Sequence, residues 1–142
     1  MKIFEALRQD HDKQRALMKA LVETSGESIL REEFYKQLKN ELNKHSVAEE
    51  RHFYSPLIQY DNTVELSRHG IAEHHQIDKL IEKLDATDMS SSAWLTSMKQ
   101  LKDKVEHHLT EEETEFFKIA GKALNSEQKE SLADEYLDEM QN

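Results

Sequence analysis

Apolar residues recur at alternating intervals of three and four residues through four long segments of this chain, which is the period of an amphipathic helix. Only three glycines and one proline occur among the 142 residues, so few positions break a helix. Four such segments joined by short connections favour an all-α fold, an antiparallel up-down-up-down four-helix bundle with a short C-terminal fifth helix. We predict one domain, residues 1–142, with the bundle core at about residues 3–120 and the last helix at about 126–138.

The periodicity and the end signals give approximate bounds for each helix. We expect the first from about Ile3 to Glu23, the second from about Ser28 to Tyr54 before Pro56, the third from a cap at Asn62 to near Asp85, and the fourth from about Trp94 to Ile119. The predicted buried stripe of the second helix begins at Leu30. Asn125 with Gln128 three residues later predicts the start of the fifth helix. We expect that helix to pack across one end of the bundle or fray, and we assign it no chemistry.

Composition excludes several classes of function. The chain has 29 acidic and 19 basic residues, a net charge of −10, which opposes binding to nucleic acid or to an anionic membrane surface. It lacks a run of about 20 apolar residues, and its first residues turn charged before a signal-peptide core could form, so we expect a cytoplasmic protein without a membrane segment. The absence of cysteine excludes disulfides, thiolate zinc sites and cysteine nucleophiles.

Two His-x-x-x-Glu pairs, His45/Glu49 and His108/Glu112, lie 63 residues apart on the apolar faces of the second and fourth predicted helices. Residues four apart project from one helical face, so each pair presents an imidazole and a carboxylate together. The spacing alone is a weak signal, because eight histidines and 29 acidic residues give about 1.6 such matches by chance and the chain has five. The other three are His69/Glu73, His74/Asp78 and His107/Glu111.

The helix face separates these pairs. His108 and Glu112 align with apolar residues of the fourth helix, whereas His107 and Glu111 align with polar ones, so we expect the latter pair to be solvated. His69, at the start of the third helix, is expected to be exposed.

His11 in the first helix and His74 in the third also interrupt apolar faces, whereas His75 has mostly polar neighbours. At a rise of about 1.5 Å per residue, antiparallel packing places His11 level with His45. Taken singly, each histidine also fits a hydrogen-bonded core residue. Together, four imidazoles and two carboxylates buried at one level, without Lys or Arg to neutralise the carboxylates, need a cation.

The chain is therefore expected to hold a two-metal site. The predicted ligands are His11, His45, Glu49, His74, His108 and Glu112. Imidazole and carboxylate donors suit iron, manganese or zinc. Open coordination positions at such a site would admit oxygen, peroxide, nitric oxide or water.

These residues resemble the hemerythrin-like HHE cation-binding domain family over about residues 3–120. The matching motifs are Asp10-His11, His45-Ser-Val-Ala-Glu49-Glu50 followed by Phe53-Tyr54, Glu73-His74, and His108-Leu-Thr-Glu-Glu112-Glu113 followed by Phe116-Phe117. The resemblance implies an antiparallel four-helix bundle that holds two non-haem iron ions, oxo- or hydroxo-bridged, with Glu49 and Glu112 as bridging carboxylates. Zinc or manganese in place of iron stays open.

The sequence departs from the oxygen-carrying members of that family in the third and fourth helices. Those proteins have a second histidine four residues from the first in the third helix, where this chain has Gly70 and Asp78. They also carry His-x-x-x-x-Asp in the last helix, where this chain has His108-x-x-x-Glu112. One imidazole is therefore missing. The candidates to complete the site are Asp78, His75, His52, Tyr54 and solvent.

Three functions fit this prediction. The first is a di-iron protein that binds or senses oxygen, peroxide or nitric oxide, and it is the one we favour over catalysis. The second is an enzyme that removes peroxide or nitric oxide, or oxidises ferrous iron, through the same open positions. The third is an iron storage or regulatory module whose fold depends on iron. In each case the expected partner is a small ligand, and neither nucleic acid nor membrane is expected.

Overall fold

The computed structural model describes residues 1–26 and 28–142, and that part of the chain consists of helices and short connections. The helices are α1 (Ile3–Val22), α2 (Ile29–Glu49), α3 (Ser55–Ile58), α4 (Val64–Asp85), α5 (Ser92–Glu111), α6 (Phe117–Ala123) and α7 (Ser126–Gln141). Helix α1 packs on α2, α5 and α7, and α4 packs on α5. The predicted all-α bundle with a shorter C-terminal helix is confirmed. Within the described residues, none of these helices is long and apolar enough to cross a membrane.

Two five-residue π turns, Glu50–Tyr54 and Glu112–Phe116, connect α2 to α3 and α5 to α6. Each π turn inserts one extra residue into the helical repeat, which rotates the residues that follow. Two consecutive aromatic side chains are consequently buried at each turn, Phe53 with Tyr54 and Phe116 with Phe117. The sequence analysis did not predict these turns.

Several predicted helix ends are confirmed and two are wrong. Ser28 and Asn125 accept hydrogen bonds from the first turns of α2 and α7 as expected of caps. Pro56 does not end the second helix, because it lies at the start of α3, where its missing N–H is tolerated. Asn62 is not the cap of α4, which begins one residue after Thr63. The Thr63 hydroxyl instead donates to the Leu57 carbonyl at 2.6 Å.

The stripe predicted for the second helix is also wrong at its first member. Leu30 is 60% exposed, whereas Arg31 is 1% exposed and forms part of the bundle interior. The Arg31 guanidinium lies 4.8 Å from the centre of the Trp94 ring and donates to the carbonyls of Thr24 and Met89. Satisfied donors allow a charged side chain to be buried where periodicity alone predicts an apolar one.

Two apolar clusters fill the two ends of the bundle. One contains aromatic residues of both π turns together with α1 and α7, and the other contains Trp94 with residues of α1, α2, α4 and α5. Along α1, His11 comes after Leu7 of the first cluster and before Met18 of the second. The buried polar residues therefore form a layer between two apolar ends.

Candidate metal centre

The six predicted ligands lie together in this polar layer, and each is at most 4% exposed. His11 comes from α1, His45 and Glu49 from α2, His74 from α4, His108 from α5, and Glu112 begins the second π turn. The bundle brings these residues of four helices to one level, and His11 faces His45 as their depths along the helices predicted. Sequence positions from 11 to 112 thus converge on one point.

Glu49 is the carboxylate that contacts three of the histidines. Its Oε1 lies 3.3 Å from His45 Nε2 and 3.1 Å from His74 Nε2, and its Oε2 lies 4.0 Å from His11 Nε2. Two groups of possible ligand atoms, each within 4.8 Å, meet at this residue: His11/His45/Glu49 and Glu49/His74/His108. Glu49 is therefore a member of both groups.

Glu112 approaches one histidine of each group. Its Oε1 lies 3.3 Å from His11 Nε2, and its Oε2 lies 3.7 Å from His108 Nε2. Each of the two glutamates therefore approaches histidines from more than one helix.

The inward atoms of this layer lack hydrogen bonds that would satisfy them. Six of the buried atoms have no hydrogen-bond partner among the described residues: His11 Nε2, His45 Nε2, His74 Nε2, Glu49 Oε1, Glu49 Oε2 and Glu112 Oε1. An unsatisfied buried polar group costs about 1–3 kcal/mol, and more when it is charged. Imidazole nitrogens and carboxylate oxygens are also the donors that first-row metals prefer. The residues present therefore fit a metal site.

Each inward histidine is held from behind by an outer group on its Nδ1. The four contacts are His11 with Glu113 at 2.8 Å, His45 with Tyr136 at 2.6 Å, His74 with Glu50 at 3.0 Å, and His108 with Glu73 at 2.8 Å. An Nδ1–H that donates to such a partner leaves Nε2 as the unprotonated, ligating nitrogen. The arrangement fixes both the ring orientation and the tautomer that a metal needs.

The acidic residues outside the central layer share a position in the sequence that the sequence analysis missed. Asp10, Glu50, Glu73 and Glu113 are each adjacent in sequence to an inward ligand, and each supports the histidine of a different helix. Asp10 acts through Tyr136, and the other three contact the histidine directly. The signal was present in the motifs Asp-His, Glu-His and Glu-Glu, because neighbouring residues in a helix point about 100° apart.

Tyr136 shows that α7 belongs to the centre, which contradicts our assignment of no chemistry to this helix. Burial and the nearby Asp10 carboxylate raise the pKa of Tyr136 well above its ordinary value, so the hydroxyl keeps its proton. That proton is donated to Asp10 in a short hydrogen bond. The tyrosine oxygen is then the acceptor for His45 Nδ1–H.

Two basic residues stabilise the outer carboxylates. Arg15 donates to both oxygens of Glu113, at 3.1 and 2.8 Å, and Lys104 donates to Glu73 at 3.1 Å. Burial raises the pKa of each carboxyl, but the hydrogen bonds outweigh it and lower both values to about 2. Glu73 and Glu113 are therefore ionised and accept from the histidines at neutral pH.

Tyr54, one of the candidates named from the sequence for the missing ligand, lies beside Glu112 and His108. Its side chain is fully buried, its hydroxyl donates to Glu112 in a short hydrogen bond, and its oxygen is 3.5 Å from His108 Nε2. The ring fits against Gly70, where a Cβ atom would lie 2.6 Å from the tyrosine oxygen. The absent side chain at residue 70 thus makes the room that Tyr54 fills.

The other candidates for the missing ligand lie elsewhere. His75 and Asp78 are exposed on the outer face of α4. His52 contacts Glu139 of α7 at 2.7 Å and Glu135 at 3.5 Å. Among the protein side chains named from the sequence, Tyr54 is the one that reaches the centre.

Protons compensate the two buried carboxylates when no cation does. Burial lowers the pKa of His11 and of His74, but the glutamates that face them outweigh it and raise these values to about 9 and about 10. Burial raises the pKa of Glu49, but the His45 imidazole and the other groups around it hold it well below its ordinary value. Burial and the Glu49 charge raise the pKa of Glu112. A cation that binds here must displace these protons.

Comparison with known proteins agrees with this geometry. The family model described as the hemerythrin HHE cation-binding domain matches residues 2–120. A crystal structure of a hemerythrin HHE cation-binding domain-containing protein from Mycobacterium kansasii superposes with a TM-score of 0.90 and 22% identity, over 99% of this chain and 86% of that chain. At that identity the likeness shows the fold. The matched family region ends before α7, which carries Tyr136.

A curated relative named DNA nickase, from Nostoc sp. (strain PCC 7120 / SAG 25.82 / UTEX 2576), is 28% identical over 139 residues. The match covers 96% of this chain and 38% of the relative. The chain therefore spans less than half the length of that protein.

Proposed function

This chain belongs to the hemerythrin HHE cation-binding domain family, and from that premise we propose that it holds two non-haem iron ions and binds or senses oxygen, peroxide or nitric oxide. The observation that carries the proposal is the set of six buried ligand atoms without hydrogen-bond partners among the described residues. Two ions would satisfy these atoms and balance the two central carboxylates. Iron bound there would supply open coordination positions and electrons for a small oxidising ligand.

The proposed ligands divide into two groups that share Glu49, one with His11 and His45 and the other with His74 and His108. Glu112 approaches one histidine of each group, His11 and His108. Glu49 and Glu112 would therefore be the carboxylates shared by two ions. The outer acids hold each imidazole in the ligating orientation without help from the metal.

We further propose that Tyr54 completes the site in place of the histidine that oxygen carriers have. Its hydroxyl contacts Glu112 and lies near His108, which supports this role. Burial and the Glu112 charge raise the pKa of Tyr54 well above its ordinary value, so without a cation the hydroxyl keeps its proton. A nearby cation would favour the phenolate, a ligand that suits ferric iron.

The test combines metal analysis with absorption spectroscopy. Protein reconstituted with ferrous iron without oxygen should retain two irons per chain, and oxygen should then produce ferric absorption in the near ultraviolet that azide perturbs. A tyrosinate ligand would add a visible band that Tyr54→Phe removes, whereas Tyr60→Phe should leave it unchanged. Protein that retains no iron, or that shows no spectral change with oxygen, peroxide or azide, would contradict the proposal.

A second candidate function, an enzyme that reduces peroxide or nitric oxide, is favoured by one contact. The buried Tyr54 hydroxyl donates a hydrogen bond to Glu112, which places a transferable proton beside the inward nitrogens. Steady-state turnover with an external reductant should then fall in Tyr54→Phe while iron content stays the same. Equal turnover in the two proteins would remove this role, and undetectable turnover in the wild type would favour binding or sensing.

We do not extend the nickase activity of the Nostoc relative to this chain. The chain covers 38% of that relative, and its own net charge of −10 opposes contact with phosphates. We expect iron-loaded protein to leave supercoiled plasmid uncut above a metal-only control. The cytoplasmic location stays a prediction, which cell fractionation tests.

A further inference from the structure

A second histidine–glutamate cluster lies at the surface beside the central layer. It contains the pair His107/Glu111, which the sequence analysis expected to be solvated, and the pair His69/Glu73, of which it expected His69 to be exposed. His69 of α4 lies 2.8 Å from Glu111 Oε1 and 3.3 Å from Glu73 Oε1 through its Nε2. His107 Nε2 lies 3.1 Å from the other oxygen of Glu111. The pairs His69/Glu73 and His107/Glu111 thus face each other from the neighbouring helices α4 and α5.

The geometry of this cluster fits a cation. His69, Glu73 and Glu111 each offer one ligand atom, and these atoms lie within 4.8 Å of one another. One imidazole with two carboxylates is a donor set that takes zinc or ferrous iron, with water in the remaining positions. The side chain of His69 is 52% exposed and that of Glu111 is 27% exposed, so an ion can reach them from solvent.

The cluster is connected to the centre by a small cavity. This space of about 10 Å³ is lined by His69 and Glu111 on the outside and by Gly70, His108 and Glu112 on the inside. Its volume corresponds to about one water molecule. An ion at the cluster would therefore lie next to a void that His108 and Glu112 also line.

Glu73 connects the surface cluster to the central layer, because its Oε1 also accepts a hydrogen bond from His108 Nδ1 at 2.8 Å. Its second oxygen accepts from Lys104. The Lys104 ammonium balances one of the two carboxylates, so Glu73 and Glu111 together keep one negative charge for a cation. An ordinary set of surface ion pairs would show the same contacts but would bind no metal.

We propose that His69, Glu73 and Glu111 form a peripheral divalent-cation site that binds zinc or ferrous iron beside the central layer, with His107 positioned against Glu111. The site is separate from the six central ligands and adds a third metal position to the chain. A cation bound there shares Glu73 with His108. Its binding should therefore change the surroundings of the central histidine.

Zinc titration of the iron-loaded protein tests this proposal, followed by desalting and metal analysis of zinc and iron in each sample. We expect the wild type to bind one zinc ion more per chain than His69→Asn or Glu111→Gln, or to bind that ion at least ten times more tightly. The iron content of the three proteins should be equal. The control variants His75→Asn and Glu115→Gln change exposed residues of α4 and the second π turn and should bind zinc as the wild type does.

Cobalt provides a second measurement, since d–d absorption that saturates with the extra equivalent should be lost in His69→Asn. Equal zinc equivalents and affinities in wild type and both cluster variants would overturn the proposal. The readout is a difference between variants, so it does not depend on what fills the central layer. If the wild type retained no iron, the di-iron proposal would be contradicted. If His69→Asn still bound one zinc ion fewer than the wild type in that case, the peripheral site would be supported.

Discussion

Tyr54 occupies the space that a side chain on Gly70 would need. A Cβ atom at residue 70 would lie 2.6 Å from the tyrosine oxygen and 2.8 Å from its Cε2 atom. Tyr54 is fully buried, and its ring packs against Phe53, His74 and Phe116. The glycine and the tyrosine therefore form one packing unit, and a change at either residue should be felt at the other.

We predict that Gly70→Ala destabilises the metal-free protein by about 1–3 kcal/mol, the usual cost of overpacking a core. In a Tyr54→Leu background, the same substitution should cost at least ~1 kcal/mol less, because the crowding atoms are absent. Urea denaturation of the four proteins measures this coupling. Gly121→Ala is the matched control, since a Cβ there has nothing within 4 Å, and it should be neutral or stabilising. Additive effects of Gly70→Ala and Tyr54→Leu would contradict the packing relationship.

The Tyr136 hydroxyl gives a second prediction, because it connects α7 to the centre through His45. Tyr136→Phe keeps the ring but removes the acceptor for His45 Nδ1–H. Loss of such an outer partner typically lowers metal affinity by about 10- to 100-fold. Competition with a metal chelator should show that loss in Tyr136→Phe, whereas Tyr60→Phe should compete as the wild type does. Wild-type affinity in Tyr136→Phe would mean that α7 serves packing alone.

The sequence predicted the six inward residues because a metal site in a bundle must interrupt apolar stripes at matching depths, and periodicity reveals both. It predicted neither Tyr54 nor Tyr136 as the partner of a specific histidine. The π turns rotate Tyr54 into the layer, and one inserted residue leaves no mark in local propensity. Tyr136 lies 91 residues from His45, so tertiary packing alone joins them.

Arg31 shows the same limit at the far end of the bundle. Periodicity placed Leu30 inside, yet Leu30 is exposed and Arg31 is buried with its donors satisfied. The carbonyls that satisfy the guanidinium belong to Thr24 and Met89, in the connections before α2 and before α5. Hydropathy cannot anticipate a buried charge whose partners are backbone groups 7 and 58 residues away.

We therefore predict that Arg31→Met lowers the free energy of unfolding by about 1–3 kcal/mol, because it leaves partly buried carbonyls without donors. Iron content of the folded protein should not change, since Arg31 lies outside the central layer. Arg68→Met, at a side chain 67% exposed, should cost less than ~0.5 kcal/mol. Thermal melts with metal analysis measure both quantities. Loss of iron at unchanged stability in Arg31→Met would contradict this division between fold and site.

Proton competition at the centre makes iron stabilisation depend on pH. In the metal-free protein the pKa of His11 is raised to about 9 and that of His74 to about 10. A raised folded pKa stabilises the protein fully below the unfolded value near 6.5, and that stabilisation is lost as the pH rises through about 9 and 10. Iron-loaded protein has already released these protons, so it should not lose this contribution.

The stabilisation that iron gives to the protein should therefore depend on pH. The rise in melting temperature on iron loading should grow steadily between pH 6.5 and pH 9, because the metal-free protein weakens while the loaded protein does not. Each tenfold excess of metal over its dissociation constant adds about 1.4 kcal/mol, so the change should be measurable. Calorimetry of desalted loaded and metal-free protein tests it. His75→Asn, at an exposed residue of α4, should follow the wild type, whereas His74→Asn should show a weaker dependence on pH. A constant shift across this range would mean that protons do not occupy the centre when iron is absent.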